Sequence, residues 1–158
     1  MLDLQIDGLE AATDAWLEMF DRARDVSGAN DAIHAAFLEG RARDFDSFGA
    51  TSAAGPWAPR KASTLRRRPG GRLMHVSGRL RRSLTDPGHP EHVFVAGPLG
   101  VEEMGTRVPY ASFHQRGTRW MVARPVVAAP PEETQLYGRA VLAWITEGRR
   151  DGGGGGGA

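Results

Sequence analysis

Histidine is the residue type here with most to offer a reaction, and its surroundings give it little to work with. His89-Pro90-Glu91-His92 sets two imidazoles near a carboxylate. Its proline-rich context is not helical, so these ligands would not share one face as zinc hydrolysis requires, and a solvent-exposed turn is the expectation. His114 stands beside Tyr110 and Gln115, with no carboxylate or cysteine near it in sequence. It reads as a partly buried hydrogen-bonding residue rather than a base. Ser77 and Ser83 have no base at a known spacing, and Gly-x-Ser-x-Gly is absent. Pro69-Gly70-Gly71 follows arginines without the lysine or the strand-to-helix setting of a phosphate loop. Glu102 and Glu103 are adjacent and would point to opposite faces of a strand. Absence of cysteine removes disulfides and thiolate-bound metal. The expectation is a protein without catalysis, metal or cofactor.

Charge is segregated although it nearly balances, at a formal net +1. Between Ser47 and Thr85 there is no acidic residue, while Arg60, Lys61, Arg66, Arg67, Arg68, Arg72, Arg79, Arg81 and Arg82 supply nine positive charges. Guanidinium groups bind phosphate or carboxylate bidentately, so the run suits a nucleic-acid backbone or an acidic protein surface. Without interleaved aromatics for base stacking, sequence-specific recognition is not indicated. The bland reading is a solvated loop.

The elements that must position these residues follow from periodicity. A chain of 158 residues suits one domain, here residues 1–148, with a flexible glycine-rich tail at 149–158. No stretch approaches the roughly 20 apolar residues of a membrane span, and acids occupy the start where a signal peptide would be basic, so a soluble product made in the cytoplasm is expected. Residues 8 to 25 form an amphipathic pattern through Leu9, Ala12, Trp16, Met19, Phe20 and Ala23. A second helix starts with Asn30 as its cap and runs to about residue 48, with Ile33, Phe37, Phe45 and Phe48 toward one side. The short break between the two helices predicts an antiparallel pair. Residues 49 to 72 then read as a long basic arm, anchored by the Trp57 ring between two prolines.

A short helical turn carries Leu80 and Leu84 four apart. Residues 92 to 96 and 101 to 108 read as strands, and residues 120 to 122 as a third, in a small, mainly antiparallel sheet. Between them Tyr110, Phe113 and His114 lie on one face of a single turn that Gly117 ends in a left-handed conformation, a packing turn that docks sheet against helices. A closing helix follows Pro130-Pro131, with Glu132 and Glu133 at its positive end and Leu136, Tyr137, Ala140, Val141, Trp144 and Ile145 as its apolar face. The fold class is α+β.

Several landmarks, in order, resemble the phage virion morphogenesis family, the tail-completion and neck proteins of Mu-like and P2-like tailed phages. Trp57-Ala58-Pro59 with Ser63-Thr64-Leu65 is similar to its tryptophan-proline-threonine segment. Ser77-Gly78-Arg79-Leu80, continuing to Ser83-Leu84, resembles its Ser/Thr-Gly-x-Leu-x-x-Ser-Ile/Leu motif. Val108-Pro109-Tyr110-Ala111, His114-Gln115-x-Gly117 and Ala123-Arg124-Pro125 look like the remainder. Two positions depart from the pattern: Arg116 replaces a usual aromatic, and Val126-Val127 replace Phe-Leu.

The resemblance implies a structural protein of the virion neck or tail top, assembled in the host bacterial cytoplasm as a homo-oligomeric ring, a hexamer, with no catalysis. Its partners would be other neck proteins, such as the head connector or stopper and the tail terminator, with non-specific contact to packaged DNA and no membrane. On that reading Trp57, Arg60, Lys61 and Arg116 are expected at a subunit or partner interface, and Arg66, Arg67, Arg68 and Arg72 toward a channel or DNA. Gly78, Leu80, Tyr110, His114, Gln115, Gly117, Arg124 and Pro125 are expected to be structural. Deleting residues 55 to 70 should then leave a folded monomer that forms no rings. The readings from other classes are a small arginine-rich protein that binds nucleic acid non-specifically and a metal-dependent nuclease.

Overall fold

A computed structural model describes residues 8–149; the glycine-rich tail beyond Arg149 lies outside the described residues. Helix α1 (Leu9–Arg24) leads through a 3-10 turn (Ser27–Ala29) into α2 (Asn30–Asp46). Short helices α3 (Ala62–Arg67) and α4 (Arg79–Thr85) precede the hairpin β1 (His92–Gly97) and β2 (Gly100–Thr106), and α5 (Ala111–Arg116) precedes α6 (Pro131–Glu147). The architecture is α+β, as the periodicity predicts. No helix among the described residues is long and apolar enough to cross a membrane.

Helix α2 is the central beam, packed against α4, α6 and β2. Phe37 and Phe45 of α2, Trp57 of the arm, Leu80 and Leu84 of α4, and Val108, Ala111 and Val126 form one buried cluster. Leu80 and Leu84 reach it because their four-residue spacing stacks them on one side of α4. Gly78 precedes that helix with φ 74°, a left-handed conformation that admits glycine without strain.

Four expectations are corrected. Helix α1 does not pair with α2 but lies along α6, where Arg22 Nε donates to Ile145 O at 2.9 Å and Trp144 Nε1 donates to Asp25 O at 2.7 Å. The intervening turn lies against the indole of Trp144, so close that a Cβ on Gly28 would stand 2.3 Å from the ring. Asn30 is not a side-chain cap; it is the first residue of α2, and its Nδ2 donates to Gly97 O at 3.3 Å. Phe48 leaves the helical face at φ 53° and is 39% exposed. Residues 120 to 122 add no strand to the two-stranded sheet. Thr118 Oγ1 instead accepts from the backbone N–H groups of Trp120 (3.2 Å) and Met121 (3.1 Å), curling that segment into a tight turn.

A buried polar network joins α2 to α6. Arg41, wholly buried, donates from Nη2 to Glu133 Oε2 at 2.6 Å and from Nη1 to Ala128 O at 2.9 Å. Tyr137 donates its hydroxyl to the other oxygen of Glu133. Burial, then this neighbouring carboxylate, raises the ionisation of that phenol well above its ordinary range. Asp44 Oδ2 stands 3.4 Å from Arg41 Nη2, while its Oδ1 accepts from Thr51 Oγ1 at 2.8 Å. Helices α2 and α6 approach so closely here that a Cβ on Gly40 would meet Glu133 Oε2 at 2.2 Å.

Candidate functional site

The motif residues scattered along the sequence converge on a latch that holds the arm. Trp57 is 5% exposed, its ring edge-on to Phe45 with centroids 5.2 Å apart. Its indole Nε1 donates to Pro125 O at 2.9 Å. Arg124, also buried, donates from Nε to Ala58 O at 2.8 Å and from Nη2 to Pro59 O at 3.0 Å. One guanidinium thus satisfies two consecutive arm carbonyls that burial would otherwise leave unpaired. Gln115 Oε1 accepts from the N–H groups of Val126 (2.8 Å) and Val127 (3.2 Å), fixing the strand of chain that presents Arg124 and Pro125. Gly117, at φ 73°, lets the chain fold back so tightly that a Cβ there would lie 2.8 Å from Ala123 N.

Trp57 is therefore an anchor inside its own chain, with little surface left for the interface expected of it. Deleting residues 55 to 70 would remove a core side chain and cannot be expected to leave a folded monomer. The remaining arm cations lie outside the core. Arg60 donates to Arg68 O at 3.2 Å, Lys61 Nζ donates to Trp120 O, and the Arg72 guanidinium lies 5.6 Å from the Phe48 ring centroid. Helix α3, carrying Arg66 and Arg67, buries no residue, and Arg68 follows it in the open. Arg116 is exposed at the end of α5. Arm and body enclose a cleft of about 820 Å³, bordered by Arg60, Arg68, Arg72, Tyr110, His114 and Trp120 and, among the described residues, lined by no carboxylate.

His114 departs from expectation. Its buried Nδ1 has no hydrogen-bond partner, and its ring packs edge-on to Tyr110 with centroids 6.0 Å apart. Burial, and then the Arg124 charge, holds its pKa below the ordinary 6.5, so the neutral ring is favoured.

The His89–His92 segment also departs from a simple exposed turn. Glu91 is engaged with Arg79, whose Nε donates to Glu91 Oε2 at 2.6 Å, and that pairing lowers the carboxyl pKa. His92 is half-buried in β1, with Nδ1 2.9 Å from Ser83 O. A carbonyl can only accept, so Nδ1 carries a proton and neutral His92 offers Nε2 as an acceptor. His34 Nε2 then donates to it across 2.8 Å, while the His34 ring stacks on Phe94 at 3.9 Å. Sequence spacing alone does not bring His34 to His92, since 58 positions separate them. Ser83 is fully buried with its hydroxyl occupied by Leu80 O (2.9 Å) and Thr106 Oγ1 (2.7 Å), so no base addresses it.

These imidazoles carry a pH dependence. Burial and the neighbouring His92 lower the His34 pKa from 6.5, with Asp31 opposing, and His114 shifts the same way. As pH falls below 6.5 the unfolded chain takes up these protons first, so stability present above that value is progressively lost. The melting temperature is expected to fall between about pH 7.5 and about pH 5, with a shallower fall in His34→Gln, which retains a donor for His92. An unchanged slope in the variant would count against His34 as a source.

Neither a curated protein nor a solved structure matches the chain. The phage virion morphogenesis family matches over residues 8–148, spanning the arm, the latch and all the elements above, and the chain belongs to that family, whose setting is the structure or assembly of the phage virion.

Proposed function

We propose that the chain is a structural protein of a tailed bacteriophage that assembles as a hexameric ring at the head–tail junction, completing the tail and joining it to the head. The family points to a structural rather than an enzymatic role. The observation that supports self-assembly is the exposed apolar surface of α1 outside the closed core: Trp16 is 70% exposed, Leu17 59% and Phe20 60%, around one groove. Contiguous apolar surface of this kind is uncommon on proteins that act alone and marks surfaces that meet others. The arm supports the same reading, because it is latched at its base and projects cations that form no ion pair among the described residues. Its neighbours in the virion would be the head connector or stopper and the tail terminator, with packaged DNA passing through the ring.

Electron microscopy of the purified full-length protein tests this reading. Closed rings of one size are expected, with a mass in solution several times the 17.1 kDa of the chain. Protein that stays monomeric yet binds duplex DNA with steep salt dependence would favour the nucleic-acid-binding alternative.

A further inference from the structure

We propose that the apolar, acid-edged face of α1 docks on the basic arm of the next copy of the chain. This rests on the ring reading and names the two surfaces that would close the ring. Helix α1 is 16 residues long and buries none of them. Leu9, Trp16, Leu17 and Phe20 are each more than half exposed, and the last three border an apolar groove of about 460 Å³ that Ile145 of α6 completes. Helical spacing puts Leu9, Trp16 and Phe20 on one stripe, Leu17 beside it, and Glu10, Asp14 and Asp21 beyond Leu17, with Glu18 on the opposite side beside Arg22. A helix of this length gains little from propensity alone, so covering the stripe would add the packing it lacks.

The arm has the complementary character. Leu65 is 45% exposed, Val76, just beyond the arm, 77%, and Trp120, tied to the arm through Lys61, 69%. Among the described residues Arg66, Arg67 and Arg68 pair with no carboxylate, and Glu10, Asp14 and Asp21 of α1 pair with no cation. Apolar groups flanked by cations on one surface match apolar groups flanked by acids on the other. A DNA backbone would use the arginines and leave Leu65 and Trp120 in water, so a protein surface answers more of the arm. Two different surfaces in contact make a heterologous interface, which repeats about an axis and closes into a ring when the rotation permits.

The chain has no cysteine, which makes the contact directly testable. Asp14→Cys and Arg66→Cys are prepared as separate full-length proteins, mixed and oxidised. Disulfide-linked pairs of one variant with the other are expected to outnumber like pairs about tenfold. In a second arm of the test, Asp14→Arg with Asp21→Arg should weaken assembly about tenfold or more, and adding Arg66→Glu with Arg67→Glu to the same chain should restore it. All four positions are exposed, so circular dichroism should not change. Rings without the mixed disulfide and without rescue overturn the docking and leave the ring reading standing. Rings that persist with Arg66→Glu and Arg67→Glu but lose duplex DNA assign the arm to DNA and also overturn it. Protein that is monomeric at every concentration overturns both.

Discussion

Glu133→Ala is expected to destabilise the fold by about 3–5 kcal/mol, because it leaves the Arg41 guanidinium charged, buried and without its closest partner. Arg41 is 0% exposed and lies between α2 and α6, so water cannot replace the lost carboxylate without parting the helices. Tyr137 loses its acceptor in the same step. Against a typical total of about 5–15 kcal/mol, a loss of this size moves a large share of the population to the unfolded state. Urea unfolding followed by circular dichroism measures it as a lower midpoint. Arg41→Met and Glu133→Leu combined with Asp44→Asn and Tyr137→Phe, which leave no buried charge or hydroxyl of the network unpaired, are expected to recover most of the loss. A Glu133→Ala midpoint within error of the parent would show that the network is not what joins these helices.

Trp57→Ala carries the second large effect, about 3–5 kcal/mol, by emptying an aromatic site in the core. Its consequence differs in kind, because it also releases the arm. The indole bond to Pro125 O disappears, and Ala58 and Pro59 lose the fixed position at which Arg124 meets their carbonyls. Trypsin is expected to cut after Arg60, Lys61 and the Arg66–Arg68 run sooner than in the parent under conditions where both are folded. Arg66→Ala offers the contrast: an exposed side chain with no ion pair among the described residues should change stability by no more than about 0.5 kcal/mol. Equal protease sensitivity in Trp57→Ala and the parent would mean that the arm is held by something other than this latch.

What was legible in the sequence depended on whether the signal was local. The period of α1, the leucine pair of α4, the β-branched run of β1 and the proline start of α6 each depend on near neighbours, and each element is present. Partnerships between distant segments were not legible. The short break after α1 suggested pairing with α2, but Trp144 on α6, more than a hundred positions later, offers the turn its docking surface. Residues 120 to 122 have strand-like composition, yet the Thr118 hydroxyl supplies a competing set of local hydrogen bonds. Neither its type nor any motif singles out Arg41. The available clue was its place four residues after Phe37 and four before Phe45, on the buried stripe of α2.

The latch was half legible. Tyr110, Gln115, Gly117, Arg124 and Pro125 stood out by resemblance, and Trp57 by its burial-prone ring, but nothing in their spacing said that they meet. Their convergence explains the motif without chemistry: a tryptophan, a guanidinium, an amide side chain and a glycine turn hold an arm base in place. Sequence predicts a ring hydrogen bond for His114, and the ring instead packs, with Nδ1 unpartnered among the described residues. The outer arm is where local structure stops being informative, since its cations find no acids among the described residues.

Phage particles assembled without this protein test the central claim most directly. If the chain completes the tail and joins it to the head, electron micrographs should show full heads and separate tails, with joining restored when purified protein is added. Intact, infectious virions of normal number in its absence would contradict the account.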